Sequence, residues 1–174
     1  MVDPKPIYAQ GFFHVRREGF VDQTIVFDYY DPGRYYARVL KNPSLYEKER
    51  ELLWNNMQYF LDQEKVLING EDAEPRVVGV EIGLRGRSDL AYIVFLIVFH
   101  GEFVRGLNTY ENIYEEEEVD YDYTVYWLFP RDARVIEVDV GVPYKTMSGD
   151  RILYFKVPRG TRVGGYEKIV FEMP

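Results

Sequence analysis

Tyr110–Pro130, YENIYEEEEVDYDYTVYWLFP, couples the densest run of acid in the chain to one of its most aromatic segments. Successive side chains of a strand point to opposite faces. With that period Val119, Tyr121, Tyr123, Val125, Trp127 and Phe129 share one face, while Glu116, Glu118, Asp120, Asp122 and Thr124 share the other. The spacing predicts a long half-buried strand with an acidic outer face.

Upstream, Phe12–Arg17 and Gln23–Tyr29 read as two strands of a hairpin separated by Glu18 and Gly19. Asp31-Pro32-Gly33 is a turn signal, after which Tyr35–Leu40 is expected to resume a β segment. Ser44 and Glu47 have the spacing of a capping box, so one helix is predicted over about 44–62. Its apolar stripe is Tyr46, Leu53, Met57, Phe60 and Leu61. Val66–Ile68 leads into Asn69-Gly70, a favoured pair for a tight hairpin, although the polar stretch Glu71–Glu74 suggests a longer loop. Arg76–Leu84 alternates with Val78, Val80, Ile82 and Leu84 inward. Ala91–Phe99 is apolar on both faces, which predicts a central strand covered on each side, with the helix as one cover. Gly101–Thr109 reads as a less regular connection. Downstream, Arg134–Val140 places Ile136, Val138 and Val140 on one face, and Arg151–Val157 and Gly165–Phe171 complete the set.

Short strands with turn signals about every ten residues predict a mainly β fold, an antiparallel β-sandwich of jelly-roll or immunoglobulin-like type with one inserted helix. A partly open barrel or an α+β arrangement is the alternative. At 174 residues, with no internal repeat or linker, the chain is expected to be a single domain.

Composition narrows the classes of function. The absence of cysteine excludes thiol catalysis, thiolate metal sites and disulfides. A formal charge of −8 works against nucleic acid as a partner. The first seventeen residues lack the basic start and apolar run of a secretory signal, which favours the cytoplasm, and the most apolar run is too short to cross a membrane. High charge with only four Gln and three Ser resembles the bias of thermophile proteins.

Two candidate sites follow from the same stretch. Glu116, Glu118, Asp120 and Asp122 offer oxygen ligands to a divalent cation such as Ca²⁺, Mg²⁺ or Mn²⁺, although the run lacks the glycine and ligand spacing of a calcium loop. Paired carboxylates on one strand face also suit a metal-assisted or acid/base hydrolase. Tyr110, Tyr114, Tyr121, Tyr123 and Tyr126 offer amphipathic contact area to a protein or carbohydrate. A further set, Tyr29, Tyr30, Tyr35 and Tyr36, exceeds what a core of this size needs. His14 and His100 read as structural, and Ser44, Ser88 and Ser148 lack the surroundings of a nucleophile.

The sequence therefore predicts a non-enzymatic binding or interaction module that needs no cofactor and meets its partner around the tyrosine-rich acidic stretch. A hydrolase built on the four carboxylates and a structural subunit of a larger assembly are the alternatives. Association into a homodimer through the helix or an edge strand is a further expectation.

Overall fold

Strands with one apolar face must bury it against a second layer, and here two sheets and a helix supply the layers. The computed structural model describes residues 2–174. In chain order the elements are β1 (Lys5–Val15), β2 (Phe20–Tyr30), α1 (Tyr35–Val39), α2 (Pro43–Gln63), β3 (Lys65–Ile68), β4 (Glu71–Asp72), β5 (Arg76–Arg87), β6 (Leu90–His100), β7 (Gly106–Ile113), β8 (Glu117–Glu118), β9 (Asp122–Leu128), β10 (Arg134–Asp139), β11 (Tyr144–Met147), β12 (Ile152–Val157), β13 (Arg162–Val163) and β14 (Tyr166–Met173). A seven-stranded sheet runs β11-β12-β9-β1-β2-β6-β5 and a five-stranded sheet runs β10-β14-β7-β3-β4. A two-stranded ribbon pairs β13 with β8. The protein is a β-sandwich with a helix insertion, and among the described residues no sheet closes into a barrel.

The inner face of the large sheet has two covers. Val21, Phe99, Trp127 and Phe155 meet the small sheet, whose Ile68, Tyr110, Ile169 and Phe171 face them. Ala91, Ile93, Phe95 and Ile97 of β6, with Val80 and Ile82 of β5, lie under Val39 of α1 and Leu61 of α2. The expectation that β6 is covered on both faces is corrected: its outward face, although apolar, is open, with Leu96 at 44% exposure.

α2 begins earlier than its predicted cap. Asn42 holds the extended N-cap conformation, and its side chain accepts the N–H of Leu45 at 3.1 Å. Asn caps at least as well as Ser, and Pro43 suits the first helical position because its missing N–H would be unpaired there in any case. Asn42→Ala should cost about 1 kcal/mol and Ser44→Ala almost nothing in urea unfolding. The opposite order would return the cap to Ser44.

Tyr35–Leu40 is not a strand. Asp31 is fully buried and accepts the N–H of Tyr36 at 2.9 Å, which starts the short helix α1 after Arg34 turns through a left-handed φ of 54°. Two inward assignments are also overturned. Val78 is 54% exposed and Ile136 48% exposed, because a register shift falls between Val77 and Gly79 and another between Val135 and Glu137. An extra residue at a β-bulge reverses the facing that simple alternation predicts.

The long strand predicted in Tyr110–Pro130 is divided between layers. Tyr110–Ile113 belongs to β7 in the small sheet, where an irregular connection had been expected to end, and Asp122–Leu128 is β9 in the large one. The residues between them form a strap from one sheet to the other, tied by β8 to β13 through Glu118 opposite Arg162. β1 also starts seven residues earlier than predicted, and it pairs with β9 in parallel, Tyr8 opposite Asp122 and His14 opposite Leu128.

Candidate functional site

Beside the strap the two sheets part and leave a cleft. Its inner cavity measures about 270 Å³ and shares Gln23, Ile25, Phe27, Glu64, Tyr114 and Tyr121 with an outer part of about 680 Å³ under the C-terminal half of α2. Small side chains make the space: the inward positions of β1 here are Ala9 and Gly11, between larger residues elsewhere. A Cβ built on Gly11 would touch only the Phe13 ring, at 3.8 Å.

The opposite wall comes from the small sheet. Its inward positions are apolar through the core, Val66, Ile68, Ile169 and Phe171 among them, and turn polar where the sheets part. Asn112 of β7 stands between Val66 and Glu167 in register, and Glu64 follows α2 as its C-cap residue. Asn112 donates to Glu64 Oε2 at 3.3 Å, and the Tyr114 hydroxyl donates to Glu167 Oε1 at 3.4 Å. The Asn112 Oδ1 is buried with no hydrogen-bond partner among the described residues.

Burial governs the protonation of this wall. It raises the Glu167 carboxyl to about 7, against the hydrogen bond from Tyr114 and with the nearby Glu64 charge adding to the rise. Burial raises Glu64 as well, opposed by Asn112 and reinforced by Glu117. Tyr110, Tyr114 and Tyr123 are raised by burial above the usual tyrosine range, and Tyr121 to about 12. All four remain hydroxyl donors at neutral pH. The cleft thus holds one carboxyl that titrates near neutrality beside a second acid, in an aromatic box where Trp127 lies 4.5 Å from Tyr110 and stacks on Phe13 at 4.1 Å.

The structure brings four of the five candidate tyrosines to this cleft: Tyr110 and Tyr114 from one sheet, Tyr121 from the strap and Tyr123 from the other sheet. Tyr126 has the opposite parity to Trp127 and lies on the outer face, stacked on Phe12 at 5.2 Å and near Tyr154 at 4.9 Å. Tyr35 and Tyr36 donate to Glu49 of α2 at 2.7 and 3.4 Å, and Tyr29 packs on Tyr36, so these fasten the helices. Tyr30 is exposed.

Glu116, Glu118, Asp120 and Asp122 stand on the strap and at the start of β9, away from the cavity. Glu116 reaches Arg162 at 3.5 Å, and Asp122 accepts the N–H of Arg159 at 2.7 Å with Lys156 at 3.5 Å. Those bonds hold Asp122 below its ordinary carboxyl range. Among the described residues no three His, Asp or Glu side chains form a metal-binding group. The strap acid that lines the inner cavity is Glu117, and Glu115 joins it on the outer part. Glu64, Asn112 and Glu167 were not singled out by sequence reasoning because they lie on three separate segments. A signal was available in Glu167-Ile169-Phe171 and Tyr110-Asn112, where a polar residue occupies the inward parity of its strand.

Comparison with known proteins adds little. No protein-family model matches the chain, and no curated protein matches its sequence. Among solved structures the folded domain of LppM from Mycobacterium tuberculosis is similar over 98% of this chain and 91% of that one, at 10% identity and a TM-score of 0.45. An M1 zinc metallopeptidase from Deinococcus radiodurans is similar over 96% of this chain and 42% of that one, at 9% identity and a TM-score of 0.43. For an aminopeptidase N family protein from Idiomarina loihiensis the shares are 93% and 29%, at 8% identity and a TM-score of 0.42. The chain thus spans less than half of either peptidase. At such scores these likenesses bear on neither mechanism nor ligand here. No described helix is long and apolar enough to cross a membrane.

Proposed function

We propose that this protein is a binding module that takes up its partner in the tyrosine-lined cleft, either a small molecule or a group projecting from a protein or carbohydrate. One observation carries the reading: inward positions that are apolar elsewhere in the sandwich become Asn112 and Glu167, joined by Glu64 from the end of α2, where Ala9 and Gly11 leave a cavity open. Burying carboxyls and an unpaired amide oxygen lowers stability, and a sequence tuned for packing alone would place larger apolar residues there. Stability given up at a concave site with a few convergent polar groups is the pattern of ligand pockets. Tyr110, Tyr114, Tyr121 and Tyr123 supply broad, stiff contact surfaces to whatever enters.

Filling the cavity tests this. Gly11 lies on an extended strand where a Cβ would make only an ordinary contact with the Phe13 ring, so Gly11→Val should fold normally and gain up to about 1 kcal/mol from strand propensity and lost unfolded-state freedom. The variant should lose binding. Monosaccharides, amino acids and small amines would be screened by ligand-observed NMR, with hits expected for the native protein and none for Gly11→Val. Equal binding to both, or to neither, would remove the cleft as the site.

A further inference from the structure

Charge inside the cleft has a single sign. Glu64, Glu117 and Glu167 line the inner cavity, and no Lys, Arg or His does so among the described residues. Two kinds of acceptor there lack a full set of partners: the buried Asn112 Oδ1 and the carboxyl oxygens beyond the one long hydrogen bond that Glu64 and Glu167 each accept. Around them stand the rings of Tyr110, Tyr114 and Tyr123, and the face of an aromatic ring carries the negative end of its quadrupole. Carboxylates, an amide oxygen and ring faces all attract positive charge. An anion would meet three acids with no compensating base.

We propose that the cleft binds an organic ammonium group, a small amine or quaternary ammonium compound, with its cationic head among Tyr110, Tyr114 and Tyr123 and beside Glu64 and Glu167. This rests on the cleft being the binding site. An aromatic cage attracts such a cation more strongly as the surroundings exclude water, and adjacent carboxylates add Coulomb attraction in a medium less polar than water. The arrangement also predicts proton release. The ionisable groups facing Glu167 are Glu64 from the end of α2, Tyr110 and Tyr114 from β7 and Tyr123 from β9, none of them basic. A cation arriving there favours the ionised carboxylate, so affinity should rise as the pH passes upward through about 7.

The experiment is isothermal titration at low salt with four probes: choline, its uncharged carbon isostere 3,3-dimethylbutan-1-ol, the anion 3,3-dimethylbutanoate, and Nα-acetyl-lysine methylamide. At pH 8 at least one cation should bind tenfold or more tighter than the alcohol, and the anion should not bind. Choline ahead of the lysine derivative points to a free quaternary ammonium compound, and the reverse order to a lysine side chain presented by a protein. Affinity for the cation should fall several-fold at pH 6 and in Glu167→Gln, with Glu64→Gln as the second variant if the first is poorly folded. Alcohol binding as tight as choline would overturn the cationic assignment and leave the cleft as a neutral pocket. Cation binding unchanged in both variants would place the cation elsewhere and overturn it too. No binding of any probe would overturn the cationic assignment alone; the binding-module reading falls only if the wider screen also finds no ligand whose binding Gly11→Val abolishes.

Discussion

Trp127→Ala is expected to lower the free energy of unfolding by about 4 kcal/mol, near the middle of the range for removing a large buried aromatic. Trp127 is 2% exposed on β9 and touches both layers. It stacks on Phe13 of β1 at 4.1 Å, meets Tyr110 of the small sheet at 4.5 Å and lies 5.9 Å from Phe129. Substitution would therefore loosen the parallel seam between β1 and β9 and the contact between the sheets together. The void would also merge with the existing cavity of about 270 Å³, so the surroundings have little means of closing over it. For a chain of this size that loss corresponds to a Tm lowered by about 10 °C. Urea unfolding followed by far-ultraviolet circular dichroism measures it. A loss below about 2 kcal/mol would show that the sandwich does not depend on this contact.

Stability of the native protein should fall between pH 5 and pH 8, and Glu167→Gln should remove much of that fall. In the unfolded chain Glu167 titrates near the ordinary value of 4.5, whereas in the folded chain burial raises it to about 7. Between those values the folded protein holds a proton that the unfolded chain has released, so raising the pH favours unfolding, and the loss is complete above the folded value. A shift of this size converts to about 3 kcal/mol at most; the partial opening of the cleft to water reduces it to about 2 kcal/mol. Glu64, also raised by burial, acts in the same direction. Glutamine resembles the protonated acid, still accepts the Tyr114 hydroxyl and carries no charge to bury. Thermal unfolding of both proteins at pH 5 and pH 8 should show the native Tm falling several degrees further than that of the variant. Parallel falls would mean that Glu167 titrates as it does in an unfolded chain, with water filling the cleft around it.

Strand periodicity made the sandwich legible because alternation survives wherever a sheet has one dry face. Val125, Trp127 and Phe129 face inward as the period requires. The same rule concealed the break in Tyr110–Pro130, since inward parity resumes on β9 after the strap as though one strand had continued. Bulges at Val78 and Ile136 were invisible for a related reason: an extra apolar residue looks like one more inward position. Tyr35–Leu40 misled because its start is fixed by the buried Asp31 side chain, a tertiary feature overriding aromatic strand preference. The candidate site was half legible. Its tyrosines drew notice as an excess of one residue type, but the acids that face them are dispersed at Glu64, Glu117 and Glu167. The acids of the strap are conspicuous because they are solvated, and Glu117, exposed like its neighbours, is set apart only by standing where the cavity opens.

The parallel pairing of β1 with β9 sets a timetable for synthesis. Tyr8 and Thr124, in contact through their hydroxyl groups, stand 116 positions apart. The hairpin of β1 and β2 leaves the ribosome long before its other neighbour exists, and until residue 128 has been made one edge of β1 offers unpaired N–H and C=O groups to any strand nearby. Contacts between such distant positions form slowly, so an interrupted chain ending anywhere before β9 carries an open sheet edge flanked by Phe12 and Phe13. Nascent fragments of this length are the species that chaperones would have to hold apart.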